Sequence, residues 1–204
     1  MGGAIAGALS PVAASILKYW FPESCSEPDD IKAQHERWFN PSADVDYDIE
    51  RRFGKLVSVA SHGGFDSWSE QPESGLALII LLDQCPRNVY RGQKKAFATD
   101  ATALALAKTA VQKNWPALLS PIKSTFALMP FQRTESAEMQ SQGITALELL
   151  LDNCDDEWRP SIETHLDYAR AQHAIIENFG RFPHRNDLLG RPSSPEEIAY
   201  LAHQ

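Results

Sequence analysis

Two short stretches of this chain concentrate arginine in a way its overall charge does not predict. The first runs Leu82-Asp83-Gln84-Cys85-Pro86-Arg87-Asn88-Val89-Tyr90-Arg91, followed by Lys94 and Lys95 with no acid in between. The second runs Phe179-Gly180-Arg181-Phe182-Pro183-His184-Arg185-Asn186, then Leu189-Gly190-Arg191. A guanidinium presents a planar fork of donors that matches a carboxylate or phosphate, so arginines converging from two loops are a ready anion site. Asp83 lies on the same helical face as Leu76, Ile79 and Ile80, which turns its carboxylate toward the interior. A buried carboxylate without a cationic or multiple-donor partner costs several kcal/mol, so Arg87 and Arg91 are its expected neighbours.

An imidazole faces inward beside the second stretch. Ile162, Leu166, Ala169, His173 and Ile176 share one helix face, which places His173 among apolar side chains. Two uses of these residues stand open. In one, Asp83 and His173 are satisfied by the arginines and by Asn88 and Asn186, and the network fastens loops to the helices. In the other, the arginines fork onto a small anionic ligand, and His173 or His184 supplies acid–base chemistry near neutral pH. Thr134-Glu135-Ser136-Ala137-Glu138 opens a helix with Thr134 as its expected N-cap, and Glu135 becomes a candidate base if it faces the same cleft.

The elements that must position these groups are helical. Ile49, Phe53, Leu56, Val57 and Ala60 fall on one α-helical face, and Leu76, Ile79, Ile80 and Asp83 repeat the pattern. Helices are expected from Ala96 to Asn114, Glu135 to Leu151 and Trp158 to Asn178, with Pro86 expected to interrupt any continuous helix through the first arginine stretch. Gly180 marks a helix C-terminus, and Ser194-Pro195-Glu196-Glu197 has the form of a capping box. Period-two alternation over a strand length is absent. The expectation is a single all-α domain over residues 1–204, with about nine helices in antiparallel hairpins and residues 1–14 as a loose N-terminal extension.

Composition narrows the function classes. The chain has 204 residues, 43% of them hydrophobic, and a formal net charge of −8, enough for a folded core and too acidic for a whole-surface nucleic-acid binder. The longest apolar run, Leu76 to Leu82, is far below the about 20 residues of a membrane-spanning helix. Three widely spaced cysteines, Cys25, Cys85 and Cys154, form no CxxC pair and fit a cytoplasmic protein with reduced thiols. No HExxH or paired-histidine spacing suggests a metal, and no phosphate-cradling glycine loop suggests a nucleotide cofactor. The expected partner is a small anionic ligand handled by metal-free hydrolysis, elimination or isomerisation. A protein or peptide on a concave helical face is the rival, and oligomeric state is left open.

From about residue 15 onward the chain resembles the domain of unknown function 924 family. The resemblance rests on Leu76 through Gly92, on Phe179 through Asn186 with Leu189-Gly190-Arg191, and on Tyr19-Trp20-Phe21, Trp38-Phe39 and Asp46. It implies an all-helical fold similar to tetratricopeptide-repeat proteins, with hairpins too degenerate to show as copies. One block departs. The family pattern Pro-Phe-x-His-Ser-Glu is here Pro130-Phe131-Gln132-Arg133-Thr134-Glu135, while Glu135 and Gln140 match. If the family histidine is catalytic, this chain has a changed or lost activity. If it binds an anion, Arg133 does so more strongly.

Overall fold

In the computed structural model residues 9–22, 31–40 and 42–203 are described, and every regular element among them is helical. The helices are α1 (Pro11–Trp20), α2 (Ile31–Phe39), α3 (Ala43–Ser61), α4 (Pro72–Ile79), α5 (Cys85–Val89), α6 (Asp100–Gln112), α7 (Pro121–Arg133), α8 (Ala137–Asn153), α9 (Arg159–Phe179), α10 (Asn186–Leu189) and α11 (Pro195–Leu201). A π turn, Ile80–Gln84, joins α4 to α5 without a break, so ten helices stand where about nine were expected. Of the expected loose N-terminal extension, residues 1–8 and Cys25 of the next segment lie outside the described residues. Pro11 to Ala14 are not loose: Ser10 accepts a hydrogen bond from Ala13 N at 3.1 Å and caps α1.

The run from α4 to α5 is the axis of the fold. Every residue from 75 to 86 is buried, as expected of a helix apolar around its whole circumference. Helices α1, α3, α6 and α7 pack around it. Gly75 lets the Trp115 ring, from the turn between α6 and α7, lie against the axis, because a Cβ there would fall 2.1 Å from it.

Pro86 does not interrupt this run, contrary to expectation, and the π turn supplies the reason. Proline lacks an N–H and crowds the carbonyl four residues back. Here Cys85 N bonds Ile80 O five residues back, and the orphaned Leu82 carbonyl accepts the Thr99 hydroxyl at 2.6 Å instead. Thr99 and the turn Lys94–Phe97 therefore divide the helix expected from Ala96, and α6 begins at Asp100.

Helices α6 to α9 each pack on the next, which is the hairpin-like part of the molecule. The buried α4–α5 axis touches helices from both halves of the chain, unlike a solenoid in which each repeat meets only its neighbours. The tetratricopeptide likeness is accordingly loose. Phe126 of α7 gathers a ring cluster of Trp20, Phe21, Trp38 and Phe39, with centroids 4.8–6.4 Å away. Gln34 and Trp38 both donate to the Trp20 carbonyl, at 3.1 and 3.0 Å, and fasten α2 to the end of α1. A second cluster joins Leu128 and Phe131 to Leu147, Leu150, Ile162 and Leu166 across α7, α8 and α9.

Two cap expectations meet different outcomes. Helix α8 starts at Ala137 with Ser136 as its cap, accepting from Met139 N at 3.4 Å, while Thr134 instead ends α7. The capping box of α11 is formed as expected: Ser194 Oγ accepts from Glu197 N at 3.2 Å and Glu197 accepts from Ser194 N at 2.7 Å. Gly180 closes α9 at φ 68°, a left-handed conformation that glycine adopts without Cβ strain.

Candidate functional site

Asp83 is fully buried within the π turn. Gln84 Nε2 donates to one carboxylate oxygen, and the other lies 3.6 Å from Arg87 Nη1 with no hydrogen bond of its own. Arg87 also donates to the Asp83 carbonyl at 2.7 Å and forks onto Asp100 at 3.0 and 3.1 Å. Asp100 then reaches the second arginine stretch, because its Oδ2 accepts from Arg185 Nη1 at 3.3 Å. The two blocks, nearly a hundred residues apart in sequence, thus meet on one carboxylate.

Arg185 is sandwiched between the Phe97 and Phe182 rings, with its guanidinium 4.7 and 4.4 Å from their centroids. Burial, then the nearby Arg87 and Arg133 charges, pull its pKa down to about 10 despite Asp100. Arg185 thus sits between the charges of Arg87 and Arg133 and those of Asp100 and Glu135.

A cavity of about 480 Å³ opens beside this cluster, between α2, α5, α7 and α9. Helix α5 contributes Arg87 and Asn88, and the turn after it Arg91; α7 contributes Met129 and Arg133; α2 contributes His35, Arg37, Trp38 and Phe39; α9 contributes Thr164, His165 and Tyr168. Among the described residues its wall holds four arginines, two histidines and no carboxylate. The acids stand behind the wall. Asp46 takes Arg91 Nη2 at 2.7 Å and Asn88 Nδ2 at 2.9 Å. Burial works to raise the Asp46 carboxyl, but these donors outweigh it and hold it below its ordinary value. Arg37 reaches Asp48 at 3.4 Å and lies over the Tyr19 ring.

Arg133 differs. No acid among the described residues pairs with it, and its buried Nε makes no hydrogen bond. It occupies the last turn of α7, where the helix dipole suits a cation. His165 is 8% exposed, and burial, with a smaller contribution from the His35 charge, pushes its pKa down to about 4. The imidazole is neutral at pH 7 and takes a proton only in acid.

The second arginine block is arranged otherwise. Arg181 forks onto Glu197 at 2.6 and 2.8 Å, and Arg191 forks onto Glu135 at 2.7 and 2.9 Å. Asn186 links the two pairs, donating to Glu197 at 3.2 Å and accepting from Arg191 at 3.0 Å. Glu135 also accepts Phe182 N at 2.9 Å; burial would raise its carboxyl, yet Arg191 and that N–H keep it low. Glu197 is held down to about 2, first by Arg181 and next by Ser194 N.

Of the expected site residues, Arg87, Asn88, Arg91 and Arg133 line the cleft, Asp83 backs it, and Arg185 joins it through Asp100. Arg181, Asn186 and Glu135 belong to the paired network. His173 lies outside the lining, with Nε2 3.6 Å from Glu177 and Nδ1 buried without a hydrogen bond. His184 is solvent-exposed, though burial of its ring, Arg185 and Arg133 lower its pKa. His35, His165 and Tyr168 were not anticipated in the wall. His165 shares the Ile162–Leu166–Ala169 face, a signal present in the spacing that reads as core.

Among the described residues no group of three His, Cys, Asp or Glu side chains is placed to hold a metal ion. Burial raises the Cys85 thiol far above its ordinary value, which removes it as a nucleophile. No helix among the described residues is long and apolar enough to cross a membrane.

The sequence profile of a family of bacterial proteins of unknown function, DUF924, matches residues 16–204, and the chain belongs to that family. It is also similar to a solved structure of a protein of unknown function from Agrobacterium tumefaciens. The two are 33% identical with a TM-score of 0.78, over 95% of this chain and 98% of that one. No curated protein matches the chain.

Proposed function

We propose, for this member of the bacterial DUF924 family, that the cleft between α2, α5, α7 and α9 binds a small carboxylate or phosphate. Charge carries the reading. Among the described residues the wall has arginines and no acid, Arg91 and Arg87 are held in place by carboxylates behind it, and Arg133 has no counter-charge of its own. A partly buried, unpaired guanidinium is costly unless an anion answers it. Asn88 and Arg91, oriented by the same Asp46, add neutral and charged donors at the rim.

Proton transfer is the chemistry open to such a site; His35 and His165 are the imidazoles in its wall, and burial keeps His165 neutral and only weakly basic. His184, close enough to feel Arg133, is the second candidate; Glu135, committed to Arg191, is the weaker base. The free thiols of Cys85 and Cys154 fit a cytoplasmic setting for this reaction.

A thermal-shift titration with inorganic phosphate, acetate and citrate tests the binding claim. Wild-type protein should gain stability with anion concentration, and Arg133→Met should lose that response while staying folded. Equal responses from both proteins, or none from the wild type, would return the cleft to a purely architectural role and favour the interaction-scaffold reading.

A further inference from the structure

The cleft wall is divided by chemistry as well as by charge. Helices α2 and α9 supply five rings, His35, Trp38, Phe39, His165 and Tyr168, with the one arginine of α2, Arg37, drawn onto the Tyr19 ring and Asp48; α5 with the turn after it and the end of α7 supply Arg87, Arg91 and Arg133. Met129, from the interior of α7, adds a thioether that packs well against rings. The ring side is stiff. Trp38 and Phe39 are wedged on Phe126 at 4.8 and 6.1 Å, Trp38 is hydrogen-bonded to the Trp20 carbonyl, and His165 lies 5.9 Å from Phe39.

We infer that the ligand is an anion carrying an aromatic ring, an aryl carboxylate or aryl phosphate ester whose ring lies on the α2–α9 wall while its head group meets Arg133 and Arg91. This deepens the anion-binding reading and rests on it. A ligand of acetate or phosphate size would leave most of a cavity of about 480 Å³ unfilled and the ring wall wet. A flat apolar body removes that surface from water and stacks on rings already fixed in place, so little ordering cost offsets the gain. A guanidinium at the rim of a ring pocket also attracts the ring face.

Calorimetric titration of the intact protein with two probe pairs, inorganic phosphate against phenyl phosphate and acetate against phenylacetate, separates this claim from the one beneath it. In at least one pair the ring-bearing anion should bind about tenfold tighter or better than its bare head group. The favoured pair identifies the head group. Tyr168→Ala, at a half-exposed position on α9, should shrink that ratio by weakening the ring-bearing anion more than the bare one. Equal affinities within both pairs would overturn the aromatic assignment and leave anion binding standing. Absence of binding by all four probes would overturn both.

Discussion

In the C-terminal block, Arg181 and Arg191 each fork onto a carboxylate, and Asn186 ties the two pairs together. In the cleft, the acids Asp46, Asp83 and Asp100 sit behind the arginines, and Arg133 has none among the described residues. Both regions are arginine-dense segments of one acidic chain. Arg87 and Arg91 fork onto Asp100 and Asp46 much as the clasp arginines fork onto their acids, so pairing alone does not separate the regions. The difference is that the cleft arginines border a cavity whose described wall carries no acid, and that Arg133 among them forks onto nothing. The clasp region holds α9, α10 and α11 together, while Arg133 keeps its fork for something from outside.

The sharpest way to test that distinction is to compare single guanidinium losses. Arg87→Met should cost the most, on the order of 3–5 kcal/mol in denaturant unfolding, because it strands Asp83 and Asp100 with one remaining cation. A loss below about 1 kcal/mol would mean the buried acids do not depend on it.

Next comes pH. His165 remains neutral in the fold to about pH 4, whereas an unfolded imidazole takes a proton near its ordinary value of 6.5. The unfolded state then binds more protons between those limits, so stability must fall as pH drops from 6.5 to 4, by an amount on the order of 3 kcal/mol. Above pH 6.5 this residue contributes no pH dependence. His165→Leu should flatten that part of the stability–pH curve, and an unchanged slope would place the proton uptake elsewhere.

In the clasp, the sign is the same for a different reason. Glu197 titrates low because Arg181 bonds its ionised form, so its contribution is fully present above about pH 4.5 and disappears toward pH 2. Arg181→Met should raise the pH of acid unfolding while leaving any anion response of the cleft intact. Loss of that response would show that the two regions act as one.

Arg133→Met should produce the smallest stability change, within about 0.5 kcal/mol, since no acid is left orphaned and a charge near Arg185 is removed. A large destabilisation would mean that Arg133 is clasped after all.

Much of this architecture is written in local spacing. Apolar steps of three and four mark α3, α4 and α9, and the capping box of α11 is formed as its residues require. Arg87, Asn88 and Arg91 could be singled out because basic residues cluster around a core-facing acid. The ring wall could not. Trp38 and Phe39 look like core anchors, and His165 hides on an apolar stripe; only the packing of α2 against α7 and α9 makes them neighbours. Asp100 carries no sign of a site role in its own neighbourhood for a related reason: that role depends on meeting Arg185, 85 positions away in sequence. Pro86 misled because its helix-breaking tendency is local, whereas its accommodation comes from the Thr99 hydroxyl.

That accommodation sets an angle. Each helical residue advances the chain by about 100°, and a π turn absorbs one residue more than an α turn. Were the segment to rewind as plain α-helix, everything past Gln84 would swing around the axis by roughly that amount. Arg91 would leave Asp46 and Arg87 would leave Asp100, without a single side chain having changed. Thr99 and Pro86 are therefore the detent that indexes the cationic wall: a hydroxyl on one helix and an absent hydrogen on another keep the guanidinium groups in phase with their acids.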